Sequence, residues 1–294
     1  MIALARAPTA YVPPVEDGRW LGEIDRRAGL TLEEFDREYQ RPQRPVILQG
    51  LTGDWPALRT WSFASLRARL GQHEVTVGRC FGEKRKMRLA EYIDRMPEFA
   101  AGAQGLPPLY MEGWYFGSAA PEIERDYRVL PHFSEDLYAK SWFPFRPTPL
   151  LHALLIGPRG AFTKLHFDLG ASHSWNAQVI GRKRWLLISP DQMANCYMET
   201  RQSGGYFPGT DIEQPDLARY PRLAKVSYRT GVVHPGEIIW FPSLWLHEVV
   251  SLDDTVSITH NYLNRDILLR ALKHHMLEKV HQHKSRFGRL RTRA

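Results

Sequence analysis

The residues best suited to chemistry are His166-Phe167-Asp168 and, much further along the chain, His247 in Trp245-Leu246-His247. An expected strand over 162–168 ends in His166-Phe-Asp168. Residues i and i+2 of a strand project to one face, so an imidazole and a carboxylate there can reach a single ion. His247 follows the turn Pro235-Gly236-Glu237, the apolar run Ile238–Phe241 and Pro242-Ser-Leu, and it leads into another expected strand. Two His and one carboxylate from different strands form a facial donor set that suits non-haem Fe(II) and leaves three coordination positions open; zinc is the rival ion. The other histidines are placed elsewhere. His152 goes to an apolar core strand and His234 to a surface turn, and His274, His275, His281 and His283 go to the solvated face of a cationic helix. His260, beside Asn261, is left without a role.

A 2-oxo dicarboxylate would chelate such an ion through two open positions and leave O₂ the third. Its remote carboxylate then needs a buried cation and hydroxyl donors. Lys183 and Thr163 are the candidates. Lys183 sits in the cluster Arg182-Lys183-Arg184, and strand alternation turns the lysine to the face opposite the two arginines, inward while they point out.

These groups need a scaffold of many strands. Before residue 150 the chain mixes short helices and strands. Thr31-Leu-Glu-Glu34 is a capping box ahead of Phe35 and Tyr39, and Pro45–Gln49 reads as a strand. Ser62 caps a helix carrying Leu66 and Leu70, and Glu74–Val77 alternates as a strand. From about residue 150, short strands follow closely: Leu151–Ile156, Phe162–Asp168, Trp175–Ile180, Lys183–Ile188, Glu237–Phe241, Leu246–Val250 and Val256–Tyr262. Gly181-Arg182 reads as a two-residue hairpin turn. Strands at this spacing predict a β-sandwich or barrel. Ile267–Val280 is an expected helix whose stripe of Leu268, Leu269, Leu272, Met276 and Leu277 must be buried against the barrel or a second copy.

The stretch from His166-Phe-Asp168 through Ser174-Trp175-Asn176 and Gly181-Arg-Lys183-Arg-Trp185 resembles the JmjC-domain, cupin-like 2-oxoglutarate oxygenases. It is most similar to the branch of the phosphatidylserine-receptor-like lysyl hydroxylase. Gln214-Pro-Asp216 to Tyr220-Pro221, the Pro-Gly-Glu turn, Trp-x-His and the early Pro45-Val-Ile through Asp54-Trp55-Pro56 resemble the asparaginyl hydroxylase branch of factor inhibiting HIF. The likeness spans roughly 30–263. It implies a mainly β fold, a double-stranded β-helix (jelly roll) with N-terminal α/β elements and a C-terminal helix. The implied division is an extension over 1–30, a catalytic domain over 31–263 with its barrel core at about 150–263, and a basic helical segment over 264–294. It implies that His166, Asp168 and His247 bind Fe(II), and that Lys183, Thr163 and Tyr110 hold the distal carboxylate of 2-oxoglutarate. Asn176, Asn261 and Thr259 are implied near the iron and the proximal carboxylate, with Trp175 and Trp185 as barrel packing. Leu246 stands where a second tryptophan is common, and the loops Leu169–His173 and Cys196–Gly209 match no one branch throughout.

The chemistry so implied is hydroxylation of a protein or peptide side chain, with 2-oxoglutarate cleaved to succinate and CO₂. RNA or nucleoside hydroxylation, N-methyl-lysine demethylation and small-molecule hydroxylation are the alternatives. A composition that is 43% hydrophobic and 12% aromatic over 294 residues suits a soluble globular protein. No run of 18 or more apolar residues predicts a membrane span, and Pro13-Pro14 arrives too early for a secretory segment. Two cysteines, Cys80 and Cys196, suit the reducing cytoplasm. The nine Lys and Arg of residues 265–294, set against Asp266 and Glu278, account for the whole net charge of +7. This basic tail could grip RNA, while the helix before it would form a homodimer, as in the factor-inhibiting-HIF branch.

Overall fold

The computed structural model describes residues 19–78, 83–100, 108–144, 147, 151–198 and 212–277. The expectations attached to residues 1–18, Cys80, most of the 196–209 loop, His281, His283 and the tail from 278 onward lie outside these residues.

The strands run β1 (Trp20–Glu23), β2 (Arg26–Ala28), β3 (Val46–Gln49), β4 (Glu74–Gly78), β5 (Lys84–Arg88), β6 (Met111–Trp114), β7 (His152–Gly157), β8 (Phe162–His166), β9 (His173–Ile180), β10 (Lys183–Ile188), β11 (Tyr228–Val233), β12 (Ile238–Phe241), β13 (Leu246–Ser251) and β14 (Thr255–Tyr262). One sheet has the order β1-β11-β10-β13-β8 and the other β2-β3-β12-β9-β14-β7-β6, with β4 and β5 as a separate ribbon. From β7 to β14 the chain crosses between the two large sheets at every step except β10 to β11, which is the winding of a jelly roll.

Two of the sequence expectations need correcting here. Gly181-Arg182 does not close a hairpin: β9 pairs with β12 and β14, whereas β10 pairs with β11 and β13 in the opposite sheet. A tight glycine turn marks a change of chain direction but does not name the strand that will be the partner. Gly181 has φ +68°, and a Cβ there would lie 2.2 Å from the Asp254 carbonyl oxygen, so the corner demands glycine. Strand β11 was hidden in a stretch read as irregular, because Gly231 interrupts its alternation; that glycine leaves room for Ile24 and Ile47.

Alternation sorts the side chains of β10. Trp185 and Leu187 face Ile239, Phe241 and Val249 between the sheets, while Leu186 and Ile188 face Leu165, Phe167 and Tyr228 on the outside. The outer face of the seven-stranded sheet is covered by N-terminal elements: α1 (Leu32–Phe35), capped by Thr31; α2 (Phe63–Leu70), capped by Ser62; and α3 (Leu89–Ala100). Their core is aromatic, with Phe35 edge-on to Trp240 at 4.9 Å and Phe133 stacked on Trp175 at 5.8 Å.

Helix α4 spans 268–277. It buries Ala271 and His274, and the preceding Ile267, rather than the full predicted stripe; Leu269 and Met276 are 82% and 68% exposed. His274 therefore does not belong to a solvated face. It is buried edge-on to Phe167, 6.0 Å away, directly behind the His166–Asp168 pair.

Candidate active site

Between the sheets lies a cavity of about 450 Å³, and all nine residues singled out from the sequence line it: Tyr110, Thr163, His166, Asp168, Asn176, Lys183, His247, Thr259 and Asn261. His166 is the last residue of β8 and pairs with His247 of β13. Asp168 lies two residues beyond the strand, which ends sooner than expected. Its Oδ1 stands 3.7 Å from His166 Nε2 and 3.6 Å from His247 Nε2, and the two imidazole rings are 4.0 Å apart.

Both imidazoles are set the same way. His166 Nδ1 lies 2.8 Å from the Lys164 carbonyl and His247 Nδ1 3.2 Å from the Trp245 carbonyl. Donation from Nδ1 fixes the tautomer and leaves each Nε2 lone pair aimed at the carboxylate. Burial, then the neighbouring His247, pushes His166 down to about 4, and burial lowers His247 as well. Both rings are thus neutral and able to ligate at neutral pH. Three ligating atoms within 4.8 Å of one another, two neutral nitrogens and a carboxylate, fit a divalent transition metal held on one side only.

Thr163 sits three residues before His166, a spacing that puts the two on opposite faces of a regular strand. A bulge intervenes: His247 and Val249 of β13 are two residues apart, while their partners His166 and Thr163 are three apart. The extra residue brings both side chains into the cavity.

At the closed end, Lys183 is 1% exposed. Its Nζ donates to Tyr110 Oη at 3.1 Å and to Ser257 Oγ at 2.6 Å. Burial pushes the amine down to about 7, and burial raises the Tyr110 phenol, which stays a neutral donor. Tyr110 is held by backbone hydrogen bonds to Gly78. The next residue, Met111, donates its N–H to Tyr92 Oη, whose single proton lies within reach of both the Leu109 and Ile156 carbonyls. Lys183 does point inward as alternation predicts, but of its arginine neighbours only Arg182 is at the surface, paired with Asp253; Arg184 is buried against Glu213. Along β14, Ser257, Thr259 and Asn261 share the inner face. Thr259 Oγ1 donates to the Trp175 carbonyl at 3.0 Å and Asn261 Nδ2 donates to Ser172 Oγ at 3.3 Å. Asn176 Oδ1 is buried without a hydrogen-bond partner among the described residues.

The sequence reading missed Ser257, although its i, i+2, i+4 spacing with Thr259 and Asn261 was there to be found. It also missed Glu112, two residues beyond Tyr110, which lines the cavity with a buried Oε1 that has no hydrogen-bond partner among the described residues. Only the strand pairing of β6 could reveal that one. Trp185, read as packing, lines the cavity and stacks on His247 at 5.9 Å.

A family model described as a cupin-like domain matches residues 32–266. The chain belongs to this cupin-like family. Among curated relatives it is 31% identical over 255 residues to the lysine-specific demethylase JMJ21 of Arabidopsis thaliana, covering 83% of this chain and 26% of that protein. It is 30% identical over 258 residues to the 2-oxoglutarate and iron-dependent oxygenase JMJD4 of Gallus gallus, covering 82% and 60%. It is 28% identical over 262 residues to the bifunctional arginine demethylase and lysyl-hydroxylase psr-1 of Caenorhabditis elegans, covering 85% and 62%. This cupin-like chain thus spans from about a quarter to about three fifths of the length of these relatives. The resemblance read from the His-x-Asp, Trp-Asn and Lys-Arg-Trp stretches is the same family likeness, and the jelly roll is its fold.

Proposed function

We propose that this cupin-like chain is an Fe(II)- and 2-oxoglutarate-dependent oxygenase that hydroxylates a side chain of a protein or peptide. The observation that carries this is the pairing, in one cavity, of an open His166–Asp168–His247 donor set with a buried lysine that has no carboxylate partner within ion-pair distance among the described residues. A lone buried ammonium is costly unless an anion joins it, and the remote carboxylate of 2-oxoglutarate is such an anion. Lys183, Tyr110 and Thr163 bind that carboxylate. Asn176, Asn261 and Thr259 orient the end nearest the metal. Trp185 and Phe241 wall the site from water. When bound, the metal and 2-oxoglutarate supply activation of O₂, with one oxygen atom going to the substrate and one to succinate.

For the substrate residue we favour a cationic side chain. Glu112 places in the cavity a carboxylate oxygen with no hydrogen-bond partner among the described residues, and two of the relatives named above carry lysine or arginine in their names. A second copy of the chain is the natural cover for exposed Leu269, Met276 and Leu277 of α4. We place the enzyme in the cytoplasm, where the buried Cys196 thiol stays reduced. RNA as a partner rests on the basic tail, outside the described residues.

The test supplies the purified protein with Fe(II), ascorbate, 2-oxoglutarate and a library of Lys- and Arg-containing peptides. Succinate release and gain of one oxygen atom by a peptide are expected, and both vanish in His166→Ala and Asp168→Ala. Undiminished succinate release in both variants defeats the assignment. Glu112→Gln should raise the peptide KM; no change in peptide KM removes the cationic preference.

A further inference from the structure

His260, left without a role by the sequence, lies on the face of β14 opposite Thr259 and Asn261 and so points away from the cavity. Its register partner across the ladder is His152 of β7. The two rings pack at 3.6 Å, closer than the 4.0 Å between His166 and His247. Asp136 approaches them from the loop after Phe133, its Oδ2 3.3 Å from His260 Nε2. Among the described residues, these three and the His166–Asp168–His247 set are the groups in which three His, Cys, Asp or Glu ligating atoms come within 4.8 Å of one another.

The second cluster is built rather than incidental. Asp136 is 4% exposed and His260 3% exposed. Asp136 Oδ1 is fixed by two backbone donors, Tyr138 N at 2.9 Å and Leu263 N at 3.2 Å, which turns Oδ2 toward the histidines. That Oδ2 and His260 Nδ1 are buried with no hydrogen-bond partner, and no Lys or Arg lies within ion-pair distance of the carboxylate among the described residues. His152 Nδ1 is held by Tyr127 Oη at 3.2 Å, an outer contact that orients an imidazole for ligation through its other nitrogen. Burial and the adjacent His260 push His152 down to about 4, keeping it neutral. His152 is only partly buried, which gives an ion a way in.

We propose that Asp136, His152 and His260 form a second, structural metal site that takes Zn(II) or a divalent ion of similar preference. Two imidazole nitrogens and one carboxylate suit such an ion, with water completing four-coordination. The ion ties β7 and β14 to the loop at 134–138. It thereby braces, from behind, the strand whose other face carries Ser257, Thr259 and Asn261. This site is independent of the reaction assigned to the cavity.

The full-length protein is stripped of metal, reconstituted with Zn(II) and passed through a desalting column, after which zinc is counted by atomic absorption. Crystals of the same preparation are measured at the zinc absorption edge. The expected result is a second equivalent that survives in His166→Ala but is lost in Asp136→Asn and His260→Ala, together with an anomalous peak between Asp136, His152 and His260. Wild-type crystals showing a peak at His166–Asp168–His247 and none behind β14 overturn the proposal. So does an Asp136→Asn protein that keeps both equivalents. Should the variants fail to fold, the wild-type anomalous map decides alone.

Discussion

Replacing Lys183 by alanine separates a buried anion-binding role from a merely structural one. The ammonium is 1% exposed and its neighbours are two hydroxyls, Tyr110 and Ser257. A carboxylate entering this end of the cavity loses its water and gains Lys183 as its charge partner. Removing one member of a buried ion pair typically costs about 3–5 kcal/mol. At about 1.4 kcal/mol per tenfold, that is a loss of affinity on the order of a hundredfold to a few thousandfold. Isothermal titration of 2-oxoglutarate into the metal-loaded protein reads this directly. A second consequence has the opposite sign: without ligand, the variant no longer buries an ammonium lacking a counter-ion, so its thermal midpoint should equal or exceed that of the wild type. A change in affinity below threefold, or a large loss of unliganded stability, would refute the role given to Lys183.

Three further outcomes follow from the same geometry. With Lys183 pushed down to about 7, the amine is charged below that pH and neutral above it. Affinity for 2-oxoglutarate should be full in mildly acidic buffer and weaken by roughly tenfold per pH unit above about 7; a flat profile up to about pH 8.5 contradicts it. Gly157→Ala would set a Cβ 2.5 Å from the Tyr110 ring and should raise the 2-oxoglutarate KM with little effect on metal content, whereas an unchanged KM removes Tyr110 from the carboxylate site. Gly181→Ala forces a side chain into a left-handed corner against Asp254 and should cost at least about 1–2 kcal/mol in chemical denaturation; a neutral result would mean that the corner relaxes freely.

By itself, the sequence determined what local periodicity can encode. Alternation put Lys183 inward, and the capping signals at Thr31 and Ser62 fixed two helix starts. These features depend on residues a few positions apart, whose relation is set by backbone geometry alone. The tertiary structure decided everything that depends on which strand meets which. Gly181 announced a turn, but only pairing with distant strands made it a corner between sheets instead of a hairpin. The offset between β8 and β13 carried Thr163 to the same face as His166, against its own spacing. Tyr110 and Lys183, 73 residues apart, meet because β6 joins the edge of one sheet and β10 lies in the other. Glu112 entered the cavity with Tyr110. His260 faced away from it because strand register chose its side, and that register brought it to His152 and Asp136. Hydrogen bonding between strands is satisfied equally well by many partners, so the choice falls to the packing of the whole core, which no single segment contains.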